Sequence, residues 1–428
     1  MPIRSPEVDR TPSGGAARLA PVTTRSDCMA LDAADPLACI RDRFTLPEGV
    51  IYLDGNSLGA LARHVPERIR QVVEDQWGSD LIRSWNAHHW IDLPYEVGDR
   101  IGRLIGAEPG SVVAVDSTSI NVYKAVAAAR RLRADRRVIL TDDTNFPTDV
   151  YVMGSLAEQT DAEVTIVASD EVIDTIDDTV AVVALTQVDY RTGRRYDMAQ
   201  VTAAAHRAGA MAVWDLAHSA GAFPVDVAGD GADLAVGCGY KYLNGGPGAP
   251  AFIYVAPRNQ AAFRNPISGW FGHAAPFEFS LEFTPADGIA RARVGTPHVL
   301  SLVGLDAALD VFDDVDLGDV RHKSLALTGL FMDLVGERLE GFEIVTPREA
   351  VRRGSQVSLR HEHAFPIVQA LIDRGVIGDF RAPDIARFGM APLYLRHVDI
   401  WEAVEVLADV MRSRAWRHPK YARQSAVT

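Results

Sequence analysis

The sequence predicts an α/β fold: a large domain built on a mostly parallel central sheet, followed by a small α+β domain. Three observations carry that expectation. From about residue 110 to 256, short β-branched runs alternate with stretches whose apolar spacing suits helices. Several of those runs end directly on a polar residue, as strands do where they open onto a ligand crevice. After about residue 310 the alternation gives way to a long helical segment, short strands and further helices in a different order.

The N-terminus, MPIRSPEVDRTPSGGAARLA, is rich in Pro, Gly, Ser and Arg and lacks the apolar stretch of a secretion signal. Residues 1–25 are expected to form a disordered tail, and the early acidic residues argue against a transit peptide. The large domain is assigned to 26–310, its part up to about residue 75 packing with the small domain, and the small domain to 311–428. Within the large domain the strand-like runs are SVVAV, RVILTDD, EVTIVAS, AVVALT, AMAVWD, ADLAVGC and AFIYV. Helical patterns such as INVYKAVAAARRLRA and DMAQVTAAAHRAG separate them. Asp116, Thr186 and Asp215 stand at three of the strand tips. In an open α/β sheet such tips converge on one crevice beyond the carboxyl ends of the strands. Residues 260 to 300 are rich in Gly, Pro and aromatics without a clear period, and a loop that long is usually functional. In the small domain VRHKSLALTGLFMDLVGERL reads as a helix and FEIVT and SQVSLR as strands. AFPIVQALIDRG then reads as a helix, VIGDFR and IARFGM as strands, and DIWEAVEVLADVMRSR as the last helix.

Composition narrows the function classes. Of 428 residues 47% are hydrophobic and 23% charged, an ordinary globular balance. The net charge of −14 argues against a nucleic-acid surface or an anionic membrane, though a local basic pocket remains compatible with it. No apolar run reaches the roughly 18 residues that span a bilayer. Cys28, Cys39 and Cys238 are too few and too irregular for a disulfide framework or a zinc site, and they suit a reducing cytoplasm.

Four segments carry the chemistry. In VWDLAHS (213–219) a strand-tip Asp215 is followed by His218. An unpaired carboxylate buried there is costly, and a pyridinium nitrogen would neutralise it while serving as an electron sink. Otherwise Asp215 caps the next helix and His218 is an ordinary core or surface histidine. In GCGYKYLNGGPG (237–248) Lys241 follows an apolar strand and precedes a glycine-rich turn. Desolvation at that point makes an amine nucleophilic, whereas a lone lysine before such a turn is more often solvated. Asp215 upstream, beyond a helix-length segment, favours the nucleophile. In AVDSTSINVYKA (114–125) a strand runs into hydroxyls at a helix start. The helix N-terminus with Thr118 and Ser119 is a ready phosphate site, or Ser117 or Thr118 simply caps the helix. In TDDTNFPTDVYV, Phe146 could stack on a flat ring or merely pack, and Asp149 follows it.

Taken in order, YLDGNSLG (52–59), DSTSINVYK (116–124), NFPTD (145–149), WDLAHSAGAFPVDV (214–227), GCGYKYLNGGPGAP (237–250), GWFGH (269–273), VGTPHVLSL (294–302) and ARFGMAPLY (386–394) span nearly the whole chain. This set resembles the fold type I pyridoxal phosphate (PLP) enzymes of the class V aminotransferase group, and within that group the kynureninase family. WDLAHSAG is widespread in the group; GYKYLNGGPG together with GWFGH is far more specific. The resemblance implies that Lys241 holds pyridoxal 5'-phosphate as a Schiff base and later moves protons. It implies that Asp215 pairs with the pyridine nitrogen, that His218 lies beside the ring, and that Phe146 stacks on it with Asp149 in the same loop. Thr118, Ser119 and the Tyr240 hydroxyl would hold the phosphate. Trp270 and Thr296 would reach that phosphate from the neighbouring subunit, so the active sites of a homodimer would be shared. Arg387 would grip the substrate α-carboxylate with its planar fork, and Ser57 and Gly295 would be pocket positions.

The reaction so implied is hydrolysis of L-kynurenine to anthranilate and L-alanine, with 3-hydroxykynurenine as an analogous substrate. It belongs to tryptophan breakdown through the kynurenine pathway, which also feeds NAD synthesis. Lys241 and Asp215 would be catalytic, and Tyr240 is the candidate general acid that protonates the alanyl carbanion equivalent. WNAHHW (85–90) and GWFGH offer aromatic and imidazole faces for the aryl group, though His88, His89 and His273 are equally readable as surface or interface histidines. Three alternatives need weighing in the same fold, one of them a non-enzymatic binding module, which would be expected to lose Lys241 or Asp215, and both are present. A cysteine desulfurase needs a nucleophilic cysteine well after the lysine, and none follows Cys238. A class V aminotransferase uses the same lysine and aspartate and is separated only by the aryl-pocket and Tyr-Lys context. No metal, nucleic acid or membrane partner is expected.

Overall fold

The computed structural model describes residues 24–423. The tail expected over residues 1–25 lies outside the described residues up to residue 23, and Arg25 already opens a helix, α1 (Arg25–Ala33), capped by the Thr24 side chain. All seven runs named above form strands of one sheet. They are β1 (Val112–Ala114), β2 (Val138–Asp142), β3 (Glu163–Val167), β4 (Val180–Thr186), β5 (Met211–Asp215), β6 (Leu234–Cys238) and β7 (Ala251–Val255). Their spatial order is β1-β7-β6-β5-β4-β2-β3.

Strands β2 to β6 pair in parallel, whereas β7 is antiparallel to both β6 and β1. The sheet is therefore mixed at one edge. Parallel neighbours need a crossover long enough to hold a helix, but the glycine-rich connection between β6 and β7 contains none, so the chain returns antiparallel. Alternate residues feed two apolar layers. Val182, Ala184, Val213, Val236 and Ile253 pack with the helix α3 (Thr118–Leu132), which follows α2 (Leu93–Leu104) in the chain. Val183, Leu185, Ala212, Trp214 and Phe252 join the larger cluster on the other face, with Val97 and Ile101 of α2. Burial on both faces explains why β4 is a continuous apolar run instead of an alternating one. The helices α4 (Pro147–Gln159) and α5 (Met198–Ala208) complete the crossovers around β2 to β5.

After the helix α6 (Val299–Leu309) comes the long α7 (Leu317–Arg338), then a four-stranded antiparallel sheet. Its strands are β8 (Glu343–Ile344), β9 (Gln356–Arg360), β10 (Asp379–Arg381) and β11 (Ile385–Gly389), in the order β8-β9-β11-β10. Helices α8 (Ala364–Ile372) and α9 (His397–Ser413) pack beside it. VIGDFR, expected as a single strand, is split. Val376–Ile377 pairs in parallel with Ile51–Tyr52, and only Asp379–Arg381 enters the small sheet. The change occurs at Gly378, where a Cβ would sit 2.8 Å from the Phe388 ring, so only glycine lets the chain cross there. The N-terminal segment is tied to the small sheet's helices: Asp32 pairs with His397 at 2.9 Å, and Asp35 with the buried Lys323 at 2.6 Å.

Candidate active site

Two registers assemble the site. Thr186 lies opposite Asp215 at the carboxyl ends of β4 and β5, and Asp379 lies opposite Arg387 in β10 and β11. At the first, the turn after β5 brings His218 under the sheet edge, and the turn after β6 brings Lys241 to it, with Lys241 Nζ 2.9 Å from His218 Nε2. Gly59 fixes the outer side of that turn. Its N–H donates to the Tyr240 carbonyl at 2.7 Å, and a Cβ there would meet the Lys241 carbonyl oxygen at 2.3 Å, so YLDGNSLG can lie on the lysine turn only with glycine at this position.

Thr118, Ser119, Phe146, Asp149, Asp215, His218, Tyr240 and Lys241 line one cavity. Eight residues singled out in the sequence thus converge. Thr148, Thr186, Tyr190 and Ala217 line it too and were not singled out as site residues. Thr186 was visible as a polar strand tip; its hydroxyl donates to Asn145 Oδ1 at 2.5 Å, and that same amide oxygen accepts from the Phe146 N–H. The ring of Tyr190 meets Phe146 edge-on at 5.1 Å.

The electrostatics are lopsided. Asp215 is buried, its Oδ1 accepting the Ala217 N–H at 2.7 Å. Burial raises its pKa, against the pull of Lys241. Asp149, 5% exposed in the first turn of α4, is held well above the usual carboxylate range by burial and then by the neighbouring Asp215. His218 is pushed far below the ordinary histidine value by burial, then by Lys241, Arg387 and Arg381, so it is neutral. Burial, followed by Cys238 and Asp215, raises the Tyr240 phenol, which keeps its proton at neutral pH. Two buried carboxyl groups thus face a single amine. Thr118 Oγ1, at the N-terminus of α3, and His218 Nδ1 are buried with no hydrogen-bond partner. This donor set fits pyridoxal phosphate: a pyridinium would balance the carboxyl pair, and a phosphate would take the free hydroxyl and helix N–H groups.

The second register builds a buried ion cluster next to this cavity. Arg387 Nε and Nη2 fork onto Asp379 at 2.8 and 2.5 Å, Nη2 also donates to Ser57 Oγ at 2.8 Å, and Nη1 donates to the Tyr190 carbonyl at 2.7 Å. Arg381 Nη2 reaches the same Asp379 at 2.6 Å. Burial alone would raise Asp379, but Arg387 and then Arg381 hold it below the usual carboxylate range. Ser57 and Arg387 are therefore brought together, with Asp379 and Arg381, which had not been anticipated.

Other expected residues lie elsewhere within the chain. Thr296 and Gly295 line a neighbouring cavity of about 260 Å³ with Asp116 and His298. Gly295, expected as a substrate pocket position, is thus not beside Lys241 in the single chain. The reason is local: the Val294 carbonyl accepts from the Phe271 N–H, which ties residues 294–297 to the GWFGH loop. Trp270 in that loop is 40% exposed and packs against Phe271 at 4.2 Å. His88 pairs with Asp80 at 2.8 Å and His273 Nε2 contacts the Glu282 carbonyl at 3.0 Å; neither lines the Lys241 cavity. Among the described residues no group of His, Cys, Asp or Glu is arranged to hold a metal ion, and no helix is long and apolar enough to cross a membrane.

Known proteins are similar to this chain in sequence and in fold. The family model described as the kynureninase C-terminal domain matches residues 320–407. A kynureninase of Burkholderia pseudomallei (strain 1106a) is 50% identical over 414 residues, covering 95% of this chain and 100% of its own length. One from Pseudomonas fluorescens is 48% identical over 416 residues, with 95% and 100% covered. Among solved structures, a cysteine desulfurase of Escherichia coli superposes with a TM-score of 0.75 at 22% identity, covering 88% of this chain and 98% of its own. A C-DES mutant with glycine covalently linked to its PLP cofactor gives 0.74 at 17%, with 86% and 99% covered. These structures share the fold, that of PLP-dependent enzymes, while the full-length sequence identity is much more specific: this chain belongs to the kynureninase family.

Proposed function

We propose that the chain hydrolyses L-kynurenine to anthranilate and L-alanine at the Lys241 cavity. The observation that carries the reading is that cavity, where Lys241 Nζ lies 2.9 Å from a neutral His218 above the buried Asp215 and Asp149. The choice of kynurenine rests on the names of the full-length relatives. When bound, pyridoxal phosphate supplies the electron sink that stabilises negative charge at the substrate Cα.

The chain's own residues do the rest. Thr118, Ser119 and the N-terminus of α3 would hold the phosphate, and Asp215 would be the counter-charge that keeps the ring nitrogen protonated. Phe146 and His218 would pack against the ring. Lys241 takes the α-proton, and neutral His218 keeps Nζ aimed at Cα through their hydrogen bond. Tyr240, protonated at neutral pH, delivers a proton to the alanyl carbon after Cβ–Cγ cleavage. Arg387 and Ser57 orient the α-carboxylate, and burial keeps water away except where it adds to the γ-carbonyl.

The partner subunit of a homodimer completes the site in this reading, with Trp270 and Thr296 of one chain reaching the phosphate of the other. Their place on mutually bonded loops outside their own cavity, together with the exposed Trp270, Phe277 and Phe279, supports it. Gly295 would enter the substrate pocket by the same route. Three free cysteines suit a cytoplasmic enzyme. The test is incubation with L-kynurenine while anthranilate fluorescence is followed, with 3-hydroxykynurenine in parallel. Anthranilate and alanine in equal amounts are expected. The 2-keto acid of kynurenine, formed without anthranilate when a 2-keto acid is supplied as amino acceptor, would make the chain an aminotransferase, and no turnover of either substrate would refute the assignment.

A further inference from the structure

Arg387 is poorly placed to be the whole receptor for a carboxylate. It is 1% exposed, and four of its five N–H groups are already committed to Asp379, Ser57 and the Tyr190 carbonyl. Its neighbour differs. The Arg381 side chain is 35% exposed and spends only Nη2, on Asp379 at 2.6 Å and on Ser57 Oγ at 3.2 Å. Its Nε is buried without a partner, and no hydrogen bond leaves its Nη1 among the described residues. Both guanidinium groups oppose the burial-driven rise of the Tyr190 phenol, and both depress His218, so the two charges address the wall of the Lys241 cavity together. Asp379, fully buried and shared by both, sets them at a fixed separation.

We infer that Arg381 is a second substrate-binding residue, donating from Nη1 to the α-carboxylate beside the one N–H that Arg387 has left. Arg387 is then the inner, fixed member of a two-guanidinium receptor, and Asp379 is the positioning residue for both. The charges agree: while Asp54 beside them keeps its proton, two arginines and Asp379 leave one net positive charge, which one carboxylate neutralises. A guanidinium suits this role because its planar fork can serve Asp379 and the ligand with different nitrogens, which a lysine ammonium cannot do with the same geometry.

The inference rests on the kynureninase reading of the cavity, and the experiment separates the two. Wild-type holoenzyme, Arg381→Gln and Arg381→Lys are compared in KM and kcat for L-kynurenine. Binding of L-alanine and of ethylamine, which lacks only the carboxylate, is followed through the cofactor absorbance of each protein. Loss of a charge-assisted contact predicts that Arg381→Gln raises KM by about tenfold to a hundredfold, kcat falling less than KM rises. The same variant should weaken L-alanine by a similar factor and ethylamine by less than about twofold. Arg381→Lys should show the same selectivity with a smaller loss, and it decides the matter if the glutamine variant does not fold. Equal effects on alanine and ethylamine, or an unchanged KM, overturn the inference. A wild type that binds alanine better than ethylamine but does not cleave kynurenine overturns the functional reading instead.

Discussion

Replacing Asp54 by asparagine should change the pH dependence of stability in a way that can be worked from the structure. Asp54 follows the strand Ile51–Tyr52, and its Oδ1 is buried without a partner. Around it stand Tyr52 and Ser57 of its own segment, Asp379, Arg381 and Arg387 of the small sheet, and the phenols of Tyr242 and Tyr394. Burial and then Asp379 raise its pKa, while Ser57, Arg387 and Arg381 resist, and the balance leaves it pushed up to about 7. An unfolded aspartate titrates near 3.8. The folded chain therefore holds a proton that the unfolded chain has lost between those values. The group's contribution is favourable below about pH 4, falls as pH rises, and levels off above about pH 7. Three pKa units correspond to about 4 kcal/mol at saturation, with roughly a third of that already lost by about pH 5. Asparagine carries no such proton. Urea unfolding of both proteins, at one concentration and with saturating pyridoxal phosphate, should show the variant gaining about 2 to 3 kcal/mol on the wild type between about pH 5 and 8. A constant offset across that range would refute the assignment of a buried, proton-holding Asp54. The same proton sets the charge of the arginine cluster. In the wild type the KM for kynurenine should rise with pH through Asp54 titration, and Asp54→Asn should remove that inflection.

The other predictions are simpler. Borohydride treatment of the yellow holoenzyme should fix the cofactor on the peptide containing Lys241; label on another lysine, or a colourless protein after reconstitution, contradicts the site. Asp215→Ala should weaken PLP retention and abolish turnover, because the ring nitrogen loses its counter-charge; full activity would exclude the electron-sink role. Arg387→Ala should raise the KM for kynurenine while PLP content stays near wild type. It should also lower stability by about 3 kcal/mol or more, since Asp379 is buried and loses its principal partner.

Much of the large domain was legible because its signals are local. Each strand is a short apolar run bounded by turn residues, and the residues that matter follow at fixed short distances: Asp215 closes β5, and Lys241 comes three residues after β6 ends. The antiparallel β7 was not legible, because it depends on the absence of a crossover helix in a connection that reads only as a glycine-rich turn. The arginine cluster was half legible. Arg387 was visible as part of a motif, but Asp379 and Arg381 acquire meaning only through the register that sets Asp379 against Arg387. A signal existed in VIGDFR, where two charges alternate around Phe380 in a short, otherwise apolar run, the pattern of a strand with both charges on one face. Nothing in the chain's local pattern tells which strand that face meets.

The protonation states of four buried carboxyl groups give the site a direction. Asp149 and Asp215 have only Lys241 nearby and are both pulled upward in pKa, so the end of the cavity under the sheet lacks a cation. Asp379 lies between two arginines and is pulled downward, and Asp54 beside it keeps its proton below about pH 7, so in that range two guanidinium groups share one carboxylate and the end at the small sheet keeps a net positive charge. In the proposed site a cationic ring nitrogen would therefore face Asp149 and Asp215 and a carboxylate would face the arginine pair; reversal would set the carboxylate against Asp149 and Asp215. Tyr190 joins the two ends, its ring lining the Lys241 cavity while its carbonyl holds Arg387. The aromatic ketone must then project from Cα away from both charged ends. In the proposed homodimer, the exposed aromatic loop around Trp270 of the second subunit would be a surface suited to receive it.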